Sequence, residues 1–249
     1  DSSEILDSGD PGADKNGRQE FVKHYDEKHR LDHVSDHQVA LCVGETEWPV
    51  PIPIVKSGDT WTFDTPAGID EVISRRIGRN ELNAIQVCLA YCDAQREYYG
   101  MDHDGDGVFE YAQKFRSSPG KHDGLFWPAK EGEPQSPLGE FAAQAAAEGY
   151  TAPKPGEGPA AYHGYRYRIL KSQGTNPTGG SFDYMAGNKM IGGSGLVAWP
   201  TDYGNSGVMT FIVSFEGTVY QKDFGDATPK AADEMTNFDP DACWKAILE

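Results

Sequence analysis

Apolar positions along the chain change their spacing several times, and each change marks a different element. Residues 14–30, "DKNGRQEFVKHYDEKHR", set Phe21, Val22 and Tyr25 on one face behind Asp14, which predicts an amphipathic helix. Three short apolar runs follow, "QVALCVG", "VPIPIVK" and "TWTFDT". The last two are joined by Ser57-Gly58-Asp59 and read as a hairpin. "AGIDEVISRRIG" then predicts a short helix ending near Gly78.

The strongest helical pattern covers residues 79–101. Leu82, Ile85, Leu89 and Cys92 recur at helical spacing, and Val87, Tyr91 and Tyr98 widen the stripe. "VFEYAQKFRSS", residues 108–118, predicts a second, shorter helix. Residues 119–159 are rich in Gly, Pro and Glu, interrupted by an Ala-rich helix over 137–149 with Gly149 at its end. β patterns then take over in "GYRYRIL", "SFDYMAG", "GLVAWP" and a long hairpin over 207–225 that turns at Glu216-Gly217.

These elements predict an α+β protein in two units. Residues 1–78 form a helix plus a small antiparallel sheet, resembling part of a nuclear-transport-factor-like cone. Residues 79–249 form a long helix, an acidic loop, a following helix and an antiparallel sheet, resembling a pilin-like head without its membrane stalk. Both likenesses concern architecture alone.

Longer phrases carry a more specific resemblance. They include "SGDPGADKNGRQEFV", "WPVPIPIVK", "RRIGRNELNAIQVCLAYCDAQREYYGMDHDGDGVFEYAQKF", "PGKHDGLFWP", "HGYRYRIL", "VAWPTDYGNSGVMTFIV" and "FDPDACW". In order and wording the chain resembles the bacterial family of domain of unknown function 2950, over essentially its whole length. That resemblance implies an exported, periplasmic or envelope-associated protein, and it implies no reaction and no catalytic residue. The polar opening "DSSEILDSGDPGADKNG" lacks an initiator Met, which predicts that an upstream segment, including any signal, has been removed.

Composition narrows the partners. The 249 residues carry a net charge of −17. Nucleic acid and anionic membrane surfaces need a basic patch, so neither is expected as the main partner. An envelope protein or a small ligand suits the chain better. No run of about 18 apolar residues is present, so no membrane-spanning helix is expected. Cys88 and Cys92 lie four apart on a predicted helix without a second Cys or His pair, so they, Cys42 and Cys243 read as buried small hydrophobes rather than zinc ligands.

The clearest chemistry lies in "MDHDGDGVFEY". Calcium takes about six to eight oxygen ligands, and a tight loop with an acid at alternate positions supplies them economically. Asp102, Asp104 and Asp106 take the first, third and fifth positions of an EF-hand-like loop, with Gly107 at the sixth. The Val108 carbonyl would fill the seventh, Phe109 would anchor the loop, and Glu110 at the ninth could bind directly or through water. Gln113 stands where the bidentate Glu of an EF-hand belongs, so one strong ligand is weakened or supplied from elsewhere. One Ca2+ ion is therefore expected, and magnesium, which keeps its waters, suits the loop less. A single loop without a paired partner points to a structural clip, with a calcium sensor as the alternative.

Other candidates are weaker. His29, His33 and His37 could line one helix face, but Val34 and Ser35 look like the start of a strand, so exposed polar residues are expected. Arg75, Arg76 and Arg79 could hold an anion, yet ion pairs with Asp70, Glu71 and Glu81 are the simpler expectation. His122 beside Asp123, and His163 at a strand start, could act as acid–base groups of an envelope hydrolase. No nucleophile elbow and no nucleotide-binding glycine pattern accompanies them. A non-enzymatic binding or structural module is the leading expectation.

Overall fold

In the computed structural model, which describes residues 3–130, 132–150 and 161–247, a single turn α1 (Ser3–Leu6) precedes α2 (Pro11–Glu27). Asp10 caps α2 by accepting the Ala13 N–H, and Pro11 follows at the first helical position, where its missing donor costs nothing. The helix therefore starts four residues earlier than Asp14 suggests and ends at Glu27, because residues 29–35 pair as a strand. Phe21, Val22 and Tyr25 remain exposed.

The first sheet contains β1 (His29–Ser35), β2 (Gln38–Val43), β3 (Trp48–Pro49), β4 (Ile54–Ser57) and β5 (Thr60–Phe63). Its order is β1-β2-β4-β5, all antiparallel, with β3 pairing to β2 beside β4. No barrel closes. β1 puts His29 and His33 on an exposed edge strand, so the three spaced histidines do not share a helix face. The expected hairpin at residues 57–59 forms.

One helix, α3 (Thr65–Tyr99), replaces the two that were expected. It runs through Gly78 for 35 residues, about 52 Å at the standard rise. A mid-helix glycine costs about 1 kcal/mol relative to alanine. Among the described residues nothing lies within 4 Å of where a Cβ would stand at Gly78, and the helix continues through it. The position at which the two units were divided thus lies inside α3.

Beyond α3 the chain is irregular until α4 (Gly139–Ala147), the expected Ala-rich helix. Residues 108–118 form no helix. Residues 151–160, the end of the Gly/Pro-rich stretch, lie outside the described residues. Then come β6 (Tyr165–Leu170), β7 (Ser172–Gln173), β8 (Phe182–Asp183), β9 (Met185–Ala186), β10 (Lys189–Met190), β11 (Gly195–Pro200), β12 (Met209–Ser214) and β13 (Val219–Asp223). A 3-10 turn at Gly225–Ala227 leads into α5 (Thr228–Glu234), and β14 (Lys245–Ala246) follows. The second sheet is antiparallel in the order β14-β13-β12-β11-β6, while β7–β8 and β9–β10 are separate two-stranded ribbons.

The second sheet is covered on both faces. Ala84, Val87, Cys88, Tyr91, Cys92 and Tyr98 of α3 pack on Tyr165, Tyr167, Leu196, Ala198, Phe211 and Val213. On the other face, Leu170, Val197, Trp199 and Ile212 meet Ala232 of α5, Phe238 and Trp244. That explains why β11 reads as an unbroken apolar run: every one of its residues is buried. Leu82, expected in the core stripe, is 66% exposed, while Val87, Tyr91, Cys92 and Tyr98 of that stripe are buried together with the small residues Ala84 and Cys88.

The N-terminal segment is tied to the second unit by polar contacts. Arg76 donates to Asn205, whose Nδ2 donates to the Asp7 carbonyl; Asn16 donates to the Glu148 carbonyl, and Asp10 accepts the Gly164 N–H. Gly164, at φ +75°, lets Asn80 pass: an added Cβ would lie 2.4 Å from Asn80 Nδ2.

Candidate metal centre

Asp102, Asp104 and Asp106 stand just past the C-terminal end of α3. Each can offer one carboxylate oxygen such that all lie within 4.8 Å of one another. The chain achieves this with two left-handed glycines, Gly105 at φ +78° and Gly107 at φ +85°. The Asp102 carboxylate turns back on its own loop, accepting from Gly105 N and Gly107 N at 2.8 Å each and from Asp104 N at 3.3 Å. Asp106 accepts the Val108 N–H at 3.0 Å. Bonds from Gly107, Gly105 and Asp104 pull the Asp102 carboxyl below the usual carboxylate range.

A lysine already faces this cluster. Lys189, on β10, places its ammonium 2.7 Å from Asp106, 2.9 Å from Asp104 and 3.4 Å from Glu110. Its hydrogen bond to Asp106 is the main cause holding the Asp106 carboxyl low, followed by the Val108 N–H. The same contacts, Asp106 first and Asp104 next, push the Lys189 ammonium well above its ordinary range. Sequence reasoning missed this residue. It is 85 positions from Asp104, and no local pattern links the two.

The remaining ligand candidates divide. Glu110 shares Lys189 with Asp104 and Asp106, and its side chain is largely covered. Val108 is exposed and its N–H serves Asp106. The Gln113 amide points away from the loop: Nε2 donates to the Asn188 carbonyl at 2.6 Å and Oε1 accepts from Lys171 at 3.0 Å. Phe109, expected to anchor the loop, is exposed. His103 anchors it instead, stacking on Tyr98 with ring centroids 3.9 Å apart and bonding the Tyr98 carbonyl through Nε2 at 3.0 Å. Trp127 lies edge-on beside it.

The acid–base candidates are scattered. His122 stacks on Trp127, and Asp123 binds Lys114 and the Ser118 N–H. Burial pushes the Asp123 carboxyl up, but Lys114 and Ser118 outweigh it and hold it at about 2. His163 sits in a left-handed conformation, φ +50°, with Nε2 3.2 Å from Glu148 Oε2. Beside it the buried Asp10 accepts from Tyr150 Oη at 3.0 Å and Gly164 N at 2.8 Å. Burial lowers the His163 pKa, with Glu148 and Asp10 opposing. Surface concavities run along Lys15, Arg18 and Val22 of α2 and along Gln173, Phe182 and Asn237, and neither histidine lines them.

Arg75 pairs with Glu71 as expected and covers the Trp48 ring at 5.0 Å. Cys42, Cys88 and Cys92 are buried free thiols, whereas Cys243 is exposed. Among the described residues, the aspartate triad is the one acidic group close enough to share a cation.

Fold and site together define a mixed α+β protein with an acidic loop poised at a helix end, and no helix among the described residues is long and apolar enough to cross a membrane. Residues 1–247 match the family described as protein of unknown function (DUF2950), and the chain belongs to that family. Comparison with curated proteins and with solved structures gives no match.

Proposed function

We propose that the chain is an exported envelope protein in which one calcium ion, held by the loop at Asp102, Asp104 and Asp106, braces the turn that follows α3. The observation that carries the reading is the convergence of three carboxylate oxygens within 4.8 Å. The Lys189 ammonium offsets only part of the repulsion among these carboxylates, and hard oxygen donors of this kind suit calcium. Glu110 completes the acidic side of the site, and the Val108 carbonyl and solvent supply the remaining oxygens. Gln113 would have to leave Asn188 and Lys171 to contribute.

Export rests on the family resemblance, and a fusion of the full-length gene to a reporter active only outside the cytoplasm tests it. Calcium is tested on chelator-treated protein by titration calorimetry and thermal melting. Saturable heat and a rise in Tm with millimolar calcium are expected, both abolished by Asp102→Asn with Asp104→Asn. Absence of heat and of any Tm shift in the parent chain rejects the site.

The hydrolase reading is supported by one contact, His163 to Glu148. It would need a cleft beside that pair. Ester or peptide turnover lost in a His163→Asn variant would favour it over the structural module.

A further inference from the structure

We infer that the outer edge of β1 joins the same edge of a second copy, fusing two five-stranded sheets across a two-fold axis at Leu31. β1 ends the strand order of the first sheet, so among the described residues no strand covers its outer side. Six of its seven residues are exposed, Asp32 being the half-buried exception.

The backbone phase determines which groups face outward. The Lys28 carbonyl accepts the Gly44 N–H, so Lys28 points inward to β2, and alternation turns Arg30 and Asp32 inward as well. His29, Leu31 and His33 therefore direct their N–H and C=O groups away from the sheet. β2 agrees, because the Leu41 carbonyl opposite Leu31 serves Val50 on the other side. Three consecutive outward residues offer an unpaired ladder, the kind of edge that adds another strand.

Sequence then selects the partner and the register. Antiparallel self-pairing centred on Leu31 sets Leu31 against its own copy as a hydrogen-bonded pair and His29 against the second copy's His33. On the opposite face Arg30 meets the second copy's Asp32, in the closer non-hydrogen-bonded position. The neighbouring registers satisfy the same backbone phase, but they place Arg30 against Arg30 or Asp32 against Asp32. The Leu31-centred register joins unlike charges at both ends with no like-charged pair facing at its centre, and it buries the Leu31 side chain, which is 55% exposed in the single chain.

Charge also favours this edge over the rest of the surface. The molecule carries −17, so most faces repel a second copy. β1 carries one arginine and one aspartate and is locally neutral. Within one chain Arg30 already contacts Asp32 and Glu47, and the second copy's Asp32 becomes a further acceptor for the same guanidinium. Association is therefore expected to strengthen with salt, which screens the global repulsion more than the short-range ladder.

Light scattering coupled to size exclusion on the full chain provides the test. A species of twice the 27.2 kDa monomer mass is expected, more populated at high ionic strength. Leu31→Lys, at an exposed position, should give a folded monomer by circular dichroism. Register is read separately: Leu31→Cys in a Cys243→Ser background should form a covalent dimer on oxidation, while Leu41→Cys should not. A monomeric parent chain at about 0.1 mM in both salts overturns the inference. A dimer that survives Leu31→Lys and resists cross-linking overturns it too. A monomer that instead captures an extended peptide of the β1 sequence type would assign the edge to another protein's strand and also reject the second copy.

Discussion

Lys189 Nζ lies 2.7 Å from Asp106 Oδ2 and 2.9 Å from Asp104 Oδ2, so a side chain from β10 occupies the mouth of an acidic loop far away in sequence. The ammonium offsets part of the repulsion among the carboxylates and competes with any metal for the same oxygens. Replacing it separates the two roles. Lys189→Gln should bind calcium more tightly, on the order of tenfold, because no resident cation has to be displaced. In chelator the same variant should melt below the parent chain. Calorimetry and melting curves read both, and unchanged or weaker calcium affinity would show that Lys189 is not a competitor.

His163 ties the start of β6 to the end of α4 through Glu148. Burial, the largest cause, lowers its pKa below 6.5, against the attraction of Glu148 and Asp10 and with Arg79 adding to the lowering. A histidine harder to protonate when folded stabilises the native state above the unfolded pKa. That contribution falls as pH drops below 6.5 toward the lowered value. The urea midpoint should therefore decline from about pH 7 to about pH 5, and His163→Asn, which tolerates the left-handed backbone, should flatten that decline. An identical slope in the variant would place the titration elsewhere.

The four cysteines differ in access. Burial is the main cause pushing the Cys92 thiol up to about 12, and it pushes Cys88 higher still. Both are covered by the sheet, and Cys42 is buried in the first sheet. A thiol reagent should therefore modify one cysteine, Cys243, quickly in the native protein and four in denaturant. Mass spectrometry after brief alkylation counts them. Rapid double labelling would contradict the burial of the helix thiols.

Much of this architecture was legible in the sequence because strands and hairpins carry strong local signals. β6, β11, β12 and β13 fall on the expected apolar runs, and the acidic loop lies where its glycines imply. Of the expected helix stripe, Val87, Tyr91, Cys92 and Tyr98 are buried and Ile85 and Leu89 pack against them, but Leu82 is not, because the sheet needs small residues at that contact, Ala84 and Cys88. β1 was missed because "HRLDHVS" is an exposed edge strand with no apolar alternation to detect. Leu196→Ala, at the interface of α3 with the sheet, should cost about 2–5 kcal/mol. Leu82→Ala should change stability by no more than about 0.5 kcal/mol. Chemical denaturation distinguishes them, and a large loss at Leu82 would place Leu82 in the core.

The segment after the loop shows how a single buried side chain overrides a helical pattern. Residues 108–118 have helix-compatible spacing, yet Gln95 of α3 is fully buried and pairs with the Ala112 backbone on both sides. Its Nε2 donates to the Ala112 carbonyl and its Oε1 accepts the Ala112 N–H, each at 2.8 Å. Tyr111 N donates to Met190 O, while Leu125 N and Phe126 N reach Lys114 O and Phe115 O. With these groups bonded laterally, the i to i−4 ladder cannot form. Gln95 thereby holds the chain leaving the acidic loop against α3, next to Lys189 and the β9–β10 ribbon. Gln95→Met keeps the length of the side chain but strands two buried backbone groups, which should cost about 2–4 kcal/mol. The Ala112 amide should also lose hydrogen-exchange protection. Gln19→Met on the exposed face of α2 is the control, expected to stay within about 0.5 kcal/mol of the parent. Equal losses at the two positions would mean that the Ala112 pairing contributes nothing to holding this segment.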